Sequence, residues 1–299
     1  MSERSSLHEI VSIARPHILF VAMAAMLVFG WLTTGRYVLW LAPVVAADWF
    51  FVNLLNRVTD VAEDTRNGIV GTAFVARHQR AFTLAAFAVP LGSLVLTHFV
   101  APALSVPRVL VLLLGLGYSY RIVPTPEGLR RIKEIYAAKN LGSALIFVLT
   151  GFAYPLTVEG RIVPWTTLAT LVVFFVPFEV TFEILYDLRD IEGDTAEGVP
   201  TFPVRHGKIG AKRLIDALLV ASAVAIGVGL VTRVLGAREA LMVAAPASQL
   251  LFYRPRFVRG IDAKDCILAT HLATAQLVVF LVGTALWSRA GLPPNMYLR

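Results

Sequence analysis

Two acid-rich strings, each next to an apolar run, contain the residues best suited to chemistry. The first is Asn56-Arg-Val-Thr-Asp60-Val-Ala-Glu-Asp64, and the second is Asp187-Leu-Arg-Asp190-Ile-Glu-Gly-Asp194. Only 16% of the residues are charged, so two matched groups of carboxylates indicate a site. Carboxylate and amide oxygens are ligands for hard cations such as Mg²⁺, which commonly share their coordination with substrate phosphates. The pair of strings therefore predicts a divalent metal site that holds a diphosphate.

The spacing within each string predicts that its acids share one face of a helix. In the first string the polar residues are four apart, and in the second they fall at i, i+3 and i+7. Either string alone would also fit an ordinary solvated helix end, so the prediction depends on the pair. The predicted metal ligands are Asn56, Asp60, Asp64, Asp187, Asp190 and Asp194. Four of them, Asp60, Asp64, Asp190 and Asp194, are the predicted catalytic residues.

A calcium loop is an alternative interpretation of the second string, and the sequence excludes it. Asp190, Glu192 and Asp194 would occupy positions 1, 3 and 5 of such a loop. Position 6 must then be glycine and position 12 glutamate, but Thr195 and Thr201 stand there.

Basic residues near the strings are candidates for binding the diphosphate oxygens, since charge-assisted hydrogen bonds to phosphate are strong. The predicted diphosphate-binding residues are Arg66, Arg121, Arg131 and Lys133. Arg205 and Lys208 follow the second string and belong to the same group of bases. The alternative for each of them is a role in membrane topology alone.

Three further acids lie deeper, within the apolar runs. An ionisable residue inside a membrane span is costly and marks a functional site by default. Asp48, Glu179 and Glu183 are predicted to bind and orient the acceptor of a transferred group. Two alternatives remain open: pairing with bases in a helix interface, or a cation pathway in a transporter.

The composition predicts an all-α polytopic membrane protein. The chain has 299 residues, 57% of them hydrophobic, with a mean hydropathy of +0.70, and apolar runs of about 20 residues are long enough to cross a bilayer. We expect a single domain over residues 1–299. The nine predicted spans are 17–34, 37–56, 82–100, 106–120, 137–155, 164–186, 214–232, 238–253 and 267–288.

The net charge of +7 does not point to nucleic acid, because of where the bases lie. Most of the lysines and arginines fall on alternate connections between the spans, which predicts that the N-terminus and both acid strings are cytoplasmic. The single cysteine, Cys266, allows neither an internal disulfide nor a cysteine-rich zinc site.

The sequence resembles the UbiA family of intramembrane prenyltransferases over essentially its whole length. The resemblance begins with Arg15-Pro16 and the first string, and continues with Tyr118-Ser119 and the basic loop after it. The second string then runs on as Y-D-L-R-D-I-E-G-D-T-A-E-G-V-P-T-F-P-V-R-H-G from Tyr186 to Gly207. In this last run the acids, glycines, threonine and prolines all fall at the family's spacings.

The resemblance implies nine helices that enclose a cavity open to the bilayer. Both strings would bind Mg²⁺ and the diphosphate of an isoprenoid donor at its polar end. One segment departs from the family pattern: residues 65–77 read T-R-N-G-I-V-G-T-A-F-V-A-R, without the Arg-Thr and Arg-Pro of many members. This departure argues against a haem O synthase.

The predicted function is Mg²⁺-dependent transfer of a prenyl group to a lipophilic acceptor, aromatic or a quinone precursor, within the membrane. The alternatives are a glycerol phosphate or chlorophyllide acceptor, cyclisation of the prenyl chain by a membrane terpene cyclase, and an ion-coupled transporter. Five phenylalanines are candidates for lining the prenyl channel: Phe51, Phe147, Phe152, Phe174 and Phe175.

Overall fold

A computed structural model describes residues 3–292, with side chains from residue 9 onwards. Within that range the chain is built of helices, apart from one short antiparallel hairpin of Val123–Thr125 (β1) and Gly128–Arg130 (β2). The helices are α1 (Glu3–Ala14), α2 (Pro16–Thr34), α3 (Leu41–Thr59), α4 (Val61–Arg66), α5 (Thr72–Arg77), α6 (Gln79–Val100), α7 (Ser105–Ser119), α8 (Ala138–Val148), α9 (Tyr154–Glu159), α10 (Trp165–Arg189), α11 (Ile191–Glu197), α12 (Phe202–Val231), α13 (Ala244–Arg259) and α14 (Ala263–Arg289).

Eight helical segments in residues 3–292 are long and apolar enough to cross a membrane. They are α2, α3, α6, α7 with the turn before it (Pro102–Ser119), α8 and α9 joined by a π-helical turn (Ala138–Glu159), α10, α12 and α14. The prediction of an all-α membrane protein is confirmed.

The predicted span at 238–253 takes a different form. It consists of a 3₁₀ segment, Ala237–Val243, followed by α13, which has 16 residues. Arg254, Arg256 and Arg259 lie in the second half of α13, so this helix lacks an apolar stretch of membrane length. The count of nine spans is therefore not confirmed for the described residues.

The two acid strings fold in the same way, and each contains a bend. The backbone leaves the helical region at Asp60 (φ −104°, ψ 24°) and at Asp190 (φ −95°, ψ 9°). Hydrogen bonds continue across both bends, since Asp64 N donates to Asp60 O at 2.8 Å and Asp194 N to Asp190 O at 2.9 Å. Each string is thus the end of a long helix, a bend at an aspartate and a short helix. The prediction that one continuous helix carries each string is wrong, because the helix breaks at Asp60 and at Asp190.

The helices enclose a cavity of about 560 Å³. Its walls come mainly from α2, α3, α8, α10 and α14, and the main apolar core, which includes Met26, Phe29 and Ile226, packs beside it. Leu241 of the 3₁₀ segment and Val279 of α14 line the cavity, yet they are 42% and 68% exposed. The cavity is therefore open between these two elements.

Candidate active site

The cavity has a polar end and an apolar end, because α3 and α10 each supply both kinds of residue along one face. On α3, Trp49 precedes Asp60 by 11 positions, which is about 16 Å along a helix. On α10, Phe175 precedes Asp187 by 12 positions, or about 18 Å. All four side chains line the cavity. An amphiphile with a charged head and an apolar tail fits this arrangement.

Asp60 is the centre of the first string's charge network. Arg131 Nη1 lies 3.0 Å from Asp60 Oδ1, and Lys133 Nζ lies 2.6 Å from Asp60 Oδ2. Lys133 also contacts Glu63 Oε2 at 2.6 Å. Burial raises the pKa of Asp60, and the Lys133 ammonium opposes this effect. The loop between α7 and α8, which supplies both bases, is therefore fixed over the acid end of the cavity.

Asp64 has a different partner, Arg57 of α3. The Arg57 guanidinium is fully buried and forms an ion pair with Asp64 Oδ2 through Nη1. Its Nη2 donates to the Val70 carbonyl at 2.7 Å. The sequence prediction missed Arg57, although a base inside an acid string was a visible signal for an internal ion pair.

The second string is organised around Lys139 of α8. Lys139 Nζ lies 2.8 Å from Asp187 Oδ1 and 3.4 Å from Asp194 Oδ2. Asn140 Nδ2 donates to Asp187 Oδ2 at 2.9 Å. Burial raises the pKa of Asp194 to about 6, with Asp187 adding to the shift and Lys139 opposing it. Asp190 pairs with its neighbour Arg189.

The two strings are in direct contact at their outer ends. A Cβ added at Gly193 would lie only 2.2 Å from Asn67 Oδ1, so the second string packs directly on the residues that follow the first. Arg66 of α4 forms an ion pair with Glu197 of α11 across the same contact. This close packing explains the glycine of the Gly193-Asp194 pair.

The donor atoms at this end suit a hard cation that is shared with a ligand. Asn56 Oδ1 and Asp194 Oδ1 are buried and have no hydrogen-bond partner among the residues that the structure describes. No group of three His, Cys, Asp or Glu residues in the described part of the chain is placed to hold a metal by itself. An ion with few protein ligands, completed by water and phosphate, fits these residues.

Comparison with known proteins identifies the family. A sequence profile of the UbiA prenyltransferase family matches residues 109–277. A digeranylgeranylglyceryl phosphate synthase from Methanopyrus kandleri is 30% identical over 254 residues, which cover 81% of this chain and 85% of the relative. The chain belongs to the UbiA prenyltransferase family. The predictions of the family and of the enzyme class, a prenyltransferase, are confirmed.

Solved structures show the same fold. A UbiA homologue from Archaeoglobus fulgidus, bound to DMAPP and Mg²⁺, superposes with a TM-score of 0.67 at 17% identity, covering 93% of this chain and 98% of that one. The homologue in complex with GPP and Mg²⁺ also gives 0.67, at 16% identity, covering 94% of this chain and 99% of that one.

The four predicted diphosphate-binding bases separate into two groups in this UbiA-family fold. Arg131 and Lys133 contact Asp60, as described above. Arg66 lies outside the cavity in its pair with Glu197. Arg121 is 69% exposed and pairs with Glu134, whose pKa is raised by burial but lowered overall, to about 2, by hydrogen bonds from Arg131 and Arg121. Arg66 and Arg121 thus hold loops in place.

The predicted acceptor-binding acids also separate. Glu179 and Glu183 line the cavity, where Ser143 Oγ lies 3.2 Å and 2.8 Å from their Oε1 atoms. Asp48 does not line it. Its carboxylate contacts Arg108 Nη2 at 2.6 Å and Nε at 2.9 Å, and accepts a hydrogen bond from Tyr154 at 2.7 Å. The structure favours the alternative for Asp48, an ion pair in a helix interface.

Of the predicted channel phenylalanines, Phe147, Phe174 and Phe175 line the cavity. Phe51 instead contacts Phe87, and Phe152 stacks on Phe29 at 4.6 Å. The sequence prediction missed several lining residues: Phe29, Trp49, Phe178 and Phe280 at the apolar end, and Arg15, Glu63, Lys139 and Arg189 near the acids. A single base or aromatic on a long helix gives no sign of which side it faces, so only Glu63 and Arg189, which lie within the strings, could have been found.

Proposed function

We propose that this protein transfers a prenyl group from an allylic diphosphate, with Mg²⁺, to the hydroxyl of a lipophilic glyceryl phosphate acceptor. The observation that carries the proposal is a cavity with opposed charged and aromatic ends, in which both acid strings lie at the charged end. The Archaeoglobus fulgidus homologue of the same fold is bound to DMAPP or GPP with Mg²⁺. The acceptor class follows the Methanopyrus kandleri relative.

The residues at the acid end have separate tasks in binding the donor. Asn56, Asp60 and Asp64, with Asp187, Asp190 and Asp194, would hold Mg²⁺, which when bound neutralises the diphosphate and makes it a better leaving group. Lys133 and Arg131 already reach this end and would donate to phosphate oxygens. The prenyl tail would lie along Phe147, Phe175 and Trp49, whose packing excludes water from the reactive allylic carbon.

An unpaired cation in the cavity supports an anionic acceptor. Arg15 lines the cavity, and its guanidinium has no hydrogen bond or ion pair with any described residue. Its backbone is left-handed, with φ 46° and ψ 52°, a conformation that is uncommon away from functional or strained sites. The other lining cations, Lys133, Lys139 and Arg189, are paired with acids. A phosphate headgroup would give Arg15 its counter-charge, and so would the carboxylate of a phenolic acid, so the choice of a glyceryl phosphate follows the Methanopyrus kandleri relative.

The proposed transfer is a single displacement at the allylic carbon. The bond between the allylic carbon and the diphosphate oxygen breaks, and its electron pair leaves with the diphosphate. A bond forms between that carbon and the acceptor hydroxyl oxygen, and the hydroxyl proton passes to a carboxylate. Glu183 or Glu179, which both accept a hydrogen bond from Ser143 in the cavity wall, would receive it. The concentration of bases on the same connections as the strings supports a cytoplasmic position for this end.

The test is pyrophosphate release and product analysis with purified protein in detergent. C10, C15 and C20 prenyl diphosphates would each be combined with a prenylglyceryl phosphate, a phenolic acid or no acceptor. We expect Mg²⁺-dependent release with an ether product from the glyceryl phosphate, abolished by EDTA. Transfer only to the phenolic acid would show that the acceptor is aromatic and not a glyceryl phosphate. A hydrocarbon formed without any acceptor would indicate a cyclase. No release from folded protein with any donor would refute the transferase.

A further inference from the structure

Arg57 is the base of the first acid string. It lies in the membrane-spanning helix α3 and is fully buried. Its two terminal nitrogens hold different groups: Nη1 pairs with Asp64 Oδ2, and Nη2 donates to the Val70 carbonyl at 2.7 Å. The guanidinium is planar and its donors have fixed directions. Fixing one nitrogen on a backbone carbonyl therefore fixes the direction in which the other presents Asp64.

The Val70 carbonyl is itself held by α1. Ser12 Oγ donates to it at 2.8 Å. The next residue, Gly71, has φ 86°, and a Cβ added there would lie 2.9 Å from Ile13 Cγ1 and 3.1 Å from the Glu9 carbonyl, so α1 lies directly on this loop. Contacts thus run without a gap from Ser12 through Val70 and Arg57 to Asp64.

Asp64 keeps one oxygen for a ligand. Its Oδ1 has no partner among the described residues, the side chain lines the cavity, and a tenth of its surface is exposed. Asp60 differs, because Arg131 and Lys133 engage both of its oxygens. Carboxylates that bind metals are usually held by hydrogen bonds to their other oxygen, and loss of that outer partner costs about 10- to 100-fold in metal affinity.

We propose that Arg57 is a positioning residue of the metal site: anchored by the Val70 carbonyl and α1, it holds Asp64 so that Oδ1 faces the bound ion. The inference rests on the proposed Mg²⁺-dependent function. It gives α1, which contributes no lining residue to the cavity among its described side chains (residues 9–14), a role in building the acid end.

The test measures metal binding directly, with Mn²⁺ as the probe and electron paramagnetic resonance as the readout, on purified full-length protein. Arg57→Lys keeps the buried charge but cannot hold both acceptors in the same geometry. Ser12→Ala leaves every charge in place. Arg77→Gln, at an exposed arginine of α5, is the matched control. We expect Mn²⁺ affinity to fall about 10- to 100-fold in R57K, to fall less in S12A, and to stay at the wild-type value in R77Q.

A second readout separates positioning from a general loss of structure. In pyrophosphate release, R57K should need more Mg²⁺ for half-maximal rate, while its kcat at saturating Mg²⁺ stays close to that of wild type. Wild-type Mn²⁺ affinity in folded R57K would overturn the inference, as would a wild-type protein that binds no Mn²⁺. If metal binding shifts as expected but no donor reacts, the positioning role stands and the proposed function fails.

Discussion

At the scale of single residues, the acids of this chain differ by what surrounds them. Asp48 is neutralised in the interior by Arg108 and accepts a hydrogen bond from Tyr154, whereas Glu179 and Glu183 face the cavity and share the Ser143 hydroxyl. Sequence alone identified all three as unusual, because charges inside apolar runs are costly. The sequence could not assign their roles, because Asp48 is recognised as structural only from its ion pair with Arg108, which is distant in the chain.

Glu183→Gln tests the proton-accepting role. We expect turnover with a glyceryl phosphate acceptor to fall by about 100-fold or more, since a positioned general base contributes that much. The KM for the donor should be unchanged, because the amide removes no diphosphate contact. Steady-state rates with varied donor and acceptor provide the measurement, and Glu127→Gln in the exposed hairpin is the matched control. Full turnover in E183Q, in E179Q and in the double variant would rule out both acids.

At the scale of secondary-structure elements, the apolar runs predicted the long helices because their length and hydropathy are local properties. The bends at Asp60 and Asp190 were not predictable from spacing, which fits a straight helix equally well. Neither was the loop between α7 and α8, whose Arg131 and Lys133 reach Asp60 only through tertiary folding. The sequence could suggest all four bases as phosphate ligands from their charge. Only the fold shows that Arg131 and Lys133 contact Asp60, whereas Arg66 and Arg121 pair with glutamates elsewhere.

Gly193→Val tests whether close packing of the two strings is needed for the site. The added side chain would overlap Asn67 and force α4 and α11 apart, at a cost of about 1–3 kcal/mol. We expect donor affinity in the presence of Mg²⁺ to fall about tenfold, which corresponds to about 1.4 kcal/mol. Isothermal titration with an unreactive donor analogue provides the measurement.

The double variant G193V/N67A provides the control, because removing the Asn67 side chain makes room for the valine. Donor affinity should recover towards the wild-type value, and N67A alone should bind normally. If G193V binds the analogue as tightly as wild type, the contact between the strings has no part in donor binding.

At the scale of the whole molecule, the two strings follow the second and sixth predicted spans, far apart in the chain, and lie at the same end of one cavity. Composition and the matched strings were sufficient to predict a helical membrane fold with a metal-diphosphate site. The number of spans was harder to predict, because α13 combines an apolar start with an arginine-rich end and its apolar start resembles that of a membrane span. The acceptor was not predictable from the sequence, and the proposed glyceryl phosphate depends on Arg15, which stands out only once its lack of a partner among the described residues is visible.

Under the proposed function, one diphosphate is bound by both strings at once through Mg²⁺. The most direct measurement is binding of an unreactive prenyl thiolodiphosphate, with and without Mg²⁺, to the wild type, to Asp60→Asn and to Asp187→Asn. Asp216→Asn, on α12 outside the cavity, controls for the loss of a carboxylate. We predict Mg²⁺-dependent binding in wild type and D216N, and loss of that binding in each of the other two variants. Wild-type affinity in folded D60N or folded D187N would contradict the claim, because one string would then be sufficient.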